Sequence, residues 1–248
     1  MICRLEWGIR GARRAAQRGD IVVIVDTLSF STTVTTAVAA GAHIIPTFDK
    51  ANSAEYAERM GAEAAVSRKD VPAKGRFSLS PLTMLEATEK QRIVLPSPNG
   101  ARCSLAGAGS PMVCAGTIVN ARAAASLIQE KAIDIGCDVS LIACGEAEDP
   151  YNPDAAIRFA LEDFLGAGAV AGHLDAEKSP ELRAAEAAFG VAVSNILNEL
   201  LGCESGKEMA GTGFRRDVEF AAHADSIEAV AVFDGEKYSS HQVPKTTE

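Results

Sequence analysis

Basic side chains are the minority in this 248-residue chain. Lys and Arg number 24 against 33 Asp and Glu, for a formal net charge of −9. With a pI near 5.1, that balance argues against non-specific binding to DNA, RNA or anionic lipid, which reward a basic surface. Long apolar runs are missing as well, none approaching the ~20 residues of a membrane-spanning helix. The first twenty residues lack the apolar stretch of a secretory signal. Their arginines (Arg10, Arg13, Arg14, Arg18) would suit a basic targeting helix, but Glu6 and Asp20 bracket them. The six cysteines form no C-x-x-C pair and show no metal-ligand spacing, and His43, His173, His223 and His241 are scattered. Dispersed cysteines in apolar surroundings, such as Cys114 and Cys144, read as small buried hydrophobes of a reducing compartment. A cytoplasmic chain without disulfides is expected, with Cys144 and Cys203 the candidates for a reactive thiol.

What is present suits an enzyme-sized globular unit. Hydrophobic residues make up 47% and charged residues 23%, and a chain of this length buries a core without staples. Ile21 to Val25 is an unbroken β-branched run ending at Asp26, the mark of a strand covered on both faces. Further strands are expected at His43–Pro46, Glu63–Ser67, Arg92–Pro96, Met112–Ala115, Val139–Cys144 and Ile227–Phe233. Helices are expected at Val34–Ala40 (capped by Gly41), Ala51–Met60, Ala101–Ala108, Asn120–Lys131, Pro153–Leu165 and Pro180–Leu201. This alternation predicts an α/β protein, three-layered α/β/α, with a mostly parallel or mixed sheet. Residues 1–248 read as one domain, with any two lobes meeting near 133–138.

In open α/β sheets, ligands collect beyond the carboxyl ends of strands. After the first strand come Asp26 and the hydroxyls Ser29, Ser31, Thr32 and Thr33, opening a helix whose N-terminus favours an anion. Ser31 or Thr32 could equally be a plain N-cap. Walker-type G-x-x-x-x-G-K-[ST] is absent. An aspartyl-phosphate site would need an acid two residues after Asp26, where Leu28 stands. The glycines of 166–172 do not space as a dinucleotide fingerprint and read as close helix packing. Ser97-Pro98-Asn99-Gly100 and Gly116–Asn120 supply two more polar loops, and Glu146, Glu148, Asp149 and Asp154 an acidic stretch. Glu162 and Asp163 interrupt an apolar helix. Because adjacent helix positions point about 100° apart, only one of them is expected to face a shared site. Mg²⁺ is often held by one or two carboxylates plus water and substrate oxygens, which Asp26 with Glu162 or Asp163 would satisfy.

In order, these segments resemble the 2-phosphosulfolactate phosphatase family, Mg²⁺-dependent enzymes of coenzyme M biosynthesis. The carriers are Asp26-Thr-Leu-Ser-Phe-Ser-Thr-Thr33, Ser97–Gly100, Ala115-Gly116 with Asn120, Ala143–Glu146, Leu161-Glu162-Asp163, and Gly213-Phe214 with Asp217. The resemblance implies hydrolysis of 2-phospho-3-sulfolactate to 3-sulfolactate and phosphate. It places Asp26 as catalytic residue or metal ligand, and Glu162 or Asp163 as a second metal-linked acid. Ser29, Ser31, Thr32, Thr33, Asn99, Gly100 and Asn120 would contact substrate. Partners would be a small phosphorylated acid and neither nucleic acid nor membrane, with a homodimer left open. The chain departs from the family at Ser29, where many members carry Arg, and at Phe77–Pro81, a reduced form of a longer motif. Arg68, Arg76, Arg102 or Lys207 could supply the missing cation. The alternatives are a phosphatase for another small phosphorylated acid and a non-catalytic anion-binding relative.

Overall fold

A computed structural model describes residues 1–149 and 156–241. In chain order it forms β1 (Ile2–Trp7), α1 (Gly8–Arg18), β2 (Ile21–Val25), α2 (Phe30–Ala39), β3 (His43–Thr47), α3 (Ser53–Arg59) and β4 (Glu63–Ala64). There follow α4 (Pro81–Met84), β5 (Arg92–Pro96), α5 (Gly100–Ala106), β6 (Val113–Ala115), α6 (Ala121–Ile135) and β7 (Val139–Ala143). The remainder is β8 (Glu146–Ala147), β9 (Ile157–Arg158), α7 (Leu161–Ala171), β10 (Glu177–Lys178), α8 (Pro180–Ala192), α9 (Ile196–Gly202), α10 (Glu204–Gly211), α11 (Arg215–Ala221), β11 (Val230–Phe233) and β12 (Tyr238–His241). Among the described residues, no helix is long and apolar enough to cross a membrane.

The main sheet has ten strands in the order β10-β1-β7-β2-β6-β11-β12-β3-β5-β4. Its pairings are parallel except where the β11–β12 hairpin joins β6 to β3. The β-branched run of β2 shows why this is a covered sheet. Ile21, Val23 and Val25 enter one apolar cluster with α6, α7 and α8, while Val22 and Ile24 enter another with α1, α2 and α5. A third, small cluster seats Ala57 of α3 on Ile45 and Val94. The fold is therefore the expected α/β/α sandwich around a mixed, mostly parallel sheet. Residues 133–138 end α6 and lead into β7, which lies between β1 and β2.

Several elements differ from expectation. The Arg-rich N-terminus follows a sheet strand: Arg14 pairs with Glu6 at 2.6 Å and Arg18 with Asp20 at 3.0 Å, so the flanking acids neutralise α1. The helix expected at 153–165 begins only at Leu161. Residues 153–155 lie outside the described residues, and Ile157–Arg158 pairs with Glu146–Ala147 as a small antiparallel ribbon. The single helix expected at 180–201 breaks into a 3₁₀ turn at Val193–Asn195, where Ser194 and Asn195 offer the backbone competing hydrogen bonds. The strand expected at 63–67 narrows to two residues, with Val66 bridging Ser78. β12, α10 and α11 went unread.

Gly41 adopts φ +83°, the left-handed turn that ends α2. The glycines of 166–172 serve close packing: a Cβ on Gly166 would run into the Thr27 hydroxyl, and one on Gly168 into the Ala185 carbonyl of α8. Gly168→Ala is expected to cost roughly 1–3 kcal/mol in urea unfolding, the price of overpacking a close helix crossing. Gly172→Ala, whose added carbon meets only ordinary contacts from 3.6 Å, should stay within about 0.5 kcal/mol of the parent. Equal costs would show that the crossing does not set the requirement.

Candidate active site

A cavity of about 260 Å³ lies beyond the ends of β2, β5 and β7. Its lining includes Asp26, Ser29, Arg68, Asn99, Glu146, Glu162 and Asp163. β2 and β5 run in opposite senses through the ladder, yet both ends open here. Right-handed twist of about 20–25° per pairing, accumulated over the five pairings between them, swings the end of β5 toward that of β2.

Asp26 is buried in the tight turn from β2 to α2. Its Oδ1 accepts the Phe30 N–H at 3.0 Å, so the carboxylate caps α2 from outside the helix. Burial raises its pKa from 3.8 to about 6. Repulsion from Glu146 and Glu162 adds to the rise, while the Phe30 N–H and Arg68 oppose it. Asp163 accepts the Thr27 N–H at 2.8 Å on one oxygen and the Gly145 N–H at 2.9 Å on the other. Burial, then the charges of Asp26 and Glu162, push its pKa well up. Glu162, also buried, lines the cavity beside it. Both acids reach one site because they sit in the first turn of α7, whose end faces the cavity; the 100° rule applies to a helix seen from its side. Glu146 stands at the solvent side, raised by desolvation and held by Asn99.

One guanidinium enters this acidic wall. Arg68 donates through Nη2 to Ser29 Oγ and through Nε to Asp217 Oδ2, both at 3.0 Å. Asp217 in turn accepts from Ser80 Oγ at 2.7 Å, and the Phe214 ring lies 5.7 Å from the guanidinium carbon. Of the four cations considered from sequence, Arg68 alone lines this cavity. Arg76 pairs with Glu63 at 2.6 Å, Arg102 lies over Phe48, and Lys207 is exposed on α10. Asp217 and Ser80 were missed as partners of the site. Their only signal was the Gly213–Asp217 and Ser80-Pro81 fragments of the family pattern.

Other groups expected to touch substrate are engaged by the protein's own backbone or lie away from the cavity lining. Ser31 Oγ donates to the Ile24 carbonyl at 2.8 Å and accepts the Asp26 N–H at 3.0 Å. Thr32 Oγ1 donates to the Thr27 carbonyl at 2.6 Å. These hydroxyls fold the turn back on itself, and neither they nor Thr33, buried within α2, line the cavity. Asn120 is likewise spent on backbone, accepting from Thr117 N–H and donating to the Ala115 and Ala229 carbonyls. Gly100 lets α5 approach, since a Cβ there would meet the Phe30 ring. Burial raises Cys144 well up and Cys203 to about 12, so neither thiol is a ready nucleophile.

Among the described residues, no three His, Cys, Asp or Glu side chains form a ready-made metal cluster. The donor set nevertheless suits a hard cation that keeps water and substrate oxygens: several carboxylates face one small cavity and repel one another. The fold and site thus define an α/β protein that can set a small anion between one guanidinium and a carboxylate wall.

The sequence pattern of the 2-phosphosulpholactate phosphatase family matches residues 10–236. A protein of Carboxydothermus hydrogenoformans named probable 2-phosphosulfolactate phosphatase is 32% identical over 215 residues, 84% of each chain. The 2-phosphosulfolactate phosphatase of Methanocaldococcus jannaschii is 27% identical over 230 residues, 88% of this chain and 91% of its own. The chain belongs to the 2-phosphosulpholactate phosphatase family, a name that denotes a phosphoric monoester hydrolase.

The raised pKa of Asp26 has a measurable sign. A carboxyl that binds its proton more tightly when folded makes stability fall as pH rises through the interval between the two pKa values, here from about 4 to about 6. In chelator-treated protein, Asp26→Asn is expected to melt about 5 °C above the parent at pH 7.5. The difference should vanish near pH 4. A variant that melts lower at pH 7.5 would contradict the charge penalty.

Proposed function

We propose that the protein is a Mg²⁺-dependent phosphatase that hydrolyses 2-phospho-3-sulfolactate to 3-sulfolactate and phosphate. The carrying observation is the opposition, in one 260 Å³ cavity, of the Arg68–Ser29 pair to the carboxylates Asp26, Glu146 and Glu162. Membership of the family and the names of its relatives support the substrate.

In this reading, Arg68 and Ser29, at the positive end of α2, hold the phosphoryl oxygens. Asp217 and Phe214 keep the guanidinium from turning away. One oxygen of Asp26 is fixed by Phe30, leaving the other to orient a water. With a pKa near 6, Asp26 accepts a proton at neutral pH. The water oxygen bonds to phosphorus as the ester P–O bond breaks. The water's proton passes to Asp26 and then to solvent, and the departing alkoxide takes a proton from solvent. Glu162, with Glu146 across the cavity, would hold Mg²⁺, which neutralises phosphoryl charge and lowers the pKa of bound water. Asp163 serves as the joint beneath these groups, both its oxygens being engaged by backbone.

Purified protein should release phosphate from 2-phospho-3-sulfolactate with Mg²⁺ and stop when chelator is added. Asp26→Asn should lower kcat at least about 100-fold while folding normally. Substantial phosphate release by that variant would remove Asp26 from the chemistry.

A second reading, a phosphatase for a different small phosphorylated acid, is favoured by one observation. Among the described residues Arg68 is the single Lys or Arg lining the cavity, so a phosphate and a sulfonate would compete for one guanidinium. Steady-state comparison with phosphorylated hydroxyacids that lack sulfonate decides it. The first reading expects the highest kcat/KM for the sulfonate compound, and a higher value for a non-sulfonated acid would establish the second. In either case Arg68→Lys, which loses the forked geometry, should lower kcat/KM by about tenfold or more.

A further inference from the structure

The small cavity shares a wall with a larger chamber of about 610 Å³. Six residues, Arg68 and Met209 among them, line both spaces. The chamber differs in character from its neighbour. Its apolar surface comes chiefly from Phe48, Val66, Leu79, Pro96, Met209 and Phe214, and Glu208 adds a carboxylate to the wall shared with the smaller cavity. Phe48 is 57% exposed, and the Arg102 guanidinium lies 5.7 Å from its ring centroid, so a ring bound there would stack beside a cation already in place. Two ammonium groups, Lys50 and Lys69, border the same chamber. Both are exposed, and neither forms an ion pair with a carboxylate among the described residues.

A three-carbon acid carrying phosphate, carboxylate and sulfonate has no apolar body to set against such walls. The smaller cavity is already ample for its phosphoryl group, and the chamber adds apolar surface beginning at the Arg68 guanidinium. From this geometry we infer that the active site accepts a wider class of substrate: phosphate monoesters whose alcohol carries an aromatic or bulky apolar body and a distal carboxylate or sulfonate. The phosphoryl group sits at Arg68 and Ser29, the apolar body lies between Phe48 and Met209, and the distal anion meets Lys50 and Lys69. This assignment rests on the reading of the small cavity as a phosphoryl site.

Non-hydrolysable probes test it without relying on turnover. In calorimetry, phenylphosphonate should bind about tenfold more tightly than methylphosphonate, the ring being covered by the chamber. A para-carboxylate on the ring should tighten binding further, by about threefold or more. Phe48→Ala should shrink the phenyl-over-methyl preference to about threefold or less. Because Phe48 is exposed, that variant is expected to fold, and Thr212→Trp, which fills the chamber from the exposed end of α10, provides an independent block. Lys50→Ala with Lys69→Ala should abolish the gain from the para-carboxylate. Equal affinities for the two simple phosphonates, or a preference that survives both Phe48→Ala and Thr212→Trp, would overturn the inference. Failure of both phosphonates to compete with inorganic phosphate at Arg68 would instead overturn the phosphoryl-site reading beneath it. A protein that prefers phenylphosphonate yet hydrolyses no sulfolactate ester would keep this inference and refute the substrate proposed above.

Discussion

Two backbone N–H groups donated to one buried carboxylate hold this site in shape. Asp163, in the first turn of α7, takes Thr27 from the loop after β2 and Gly145 from the loop after β7. It thereby fixes the tips of two adjacent parallel strands against the start of the helix that covers them. Asp26 sits one residue before Thr27 and Glu146 one residue after Gly145, so the spacing of the acid groups is inherited from this clasp. Removing it would leave two buried N–H donors without partners, each of the order of 1–3 kcal/mol in desolvation alone. The arrangement gathers like charges that repel when ionised, as the upward shifts at Asp26 and Asp163 record. Such strain is common where a site must attract a counter-ion.

The opposing guanidinium is placed by residues far apart in the chain. Ser29 is too short and uncharged to hold an anion by itself, yet its hydroxyl receives Arg68 from the loop after β4. Asp217 on α11 receives the same guanidinium from behind, and Ser80 steadies that carboxylate. Four residues from four separated segments thus place one positive charge. Phe214 and Asp217 act on one group: the first presents a ring face and the second a carboxylate to the same side chain.

How much could be read from sequence follows from how local each signal is. The β2 run ending at Asp26 is an uninterrupted apolar string, and the helices α2, α3 and α6 carry ordinary periodicity, so the layered architecture and the central acid were legible. Asn99, Glu162 and Asp163, which stand out as polar residues after a strand or inside an apolar helix, do line the cavity. The hydroxyls of Ser31 and Thr32 stand out for the same reason but lie off its lining, because a tight turn can consume its own hydroxyls on backbone carbonyls. Arg68 and Asp217 carry no periodic signal; only the chain's long-range topology brings them together. The N-terminal strand went unread although Cys3, Leu5 and Trp7 alternate with Arg4 and Glu6 in a strand's two-residue rhythm, because the arginines of α1 drew attention to charge.

That opening strand also bears on how the protein is made. β1 is an interior member of the sheet, yet the partners that flank it, at residues 139–143 and 177–178, lie far downstream and leave the ribosome long after it. Until they emerge, the first strand has unpaired edges on both sides and a half-finished apolar face. Pairings so distant along the chain close slowly, and exposed edges invite association with other chains. The strand therefore stays uncommitted until both partners are available, which makes early chaperone protection, rather than rapid local folding, the natural demand of this topology.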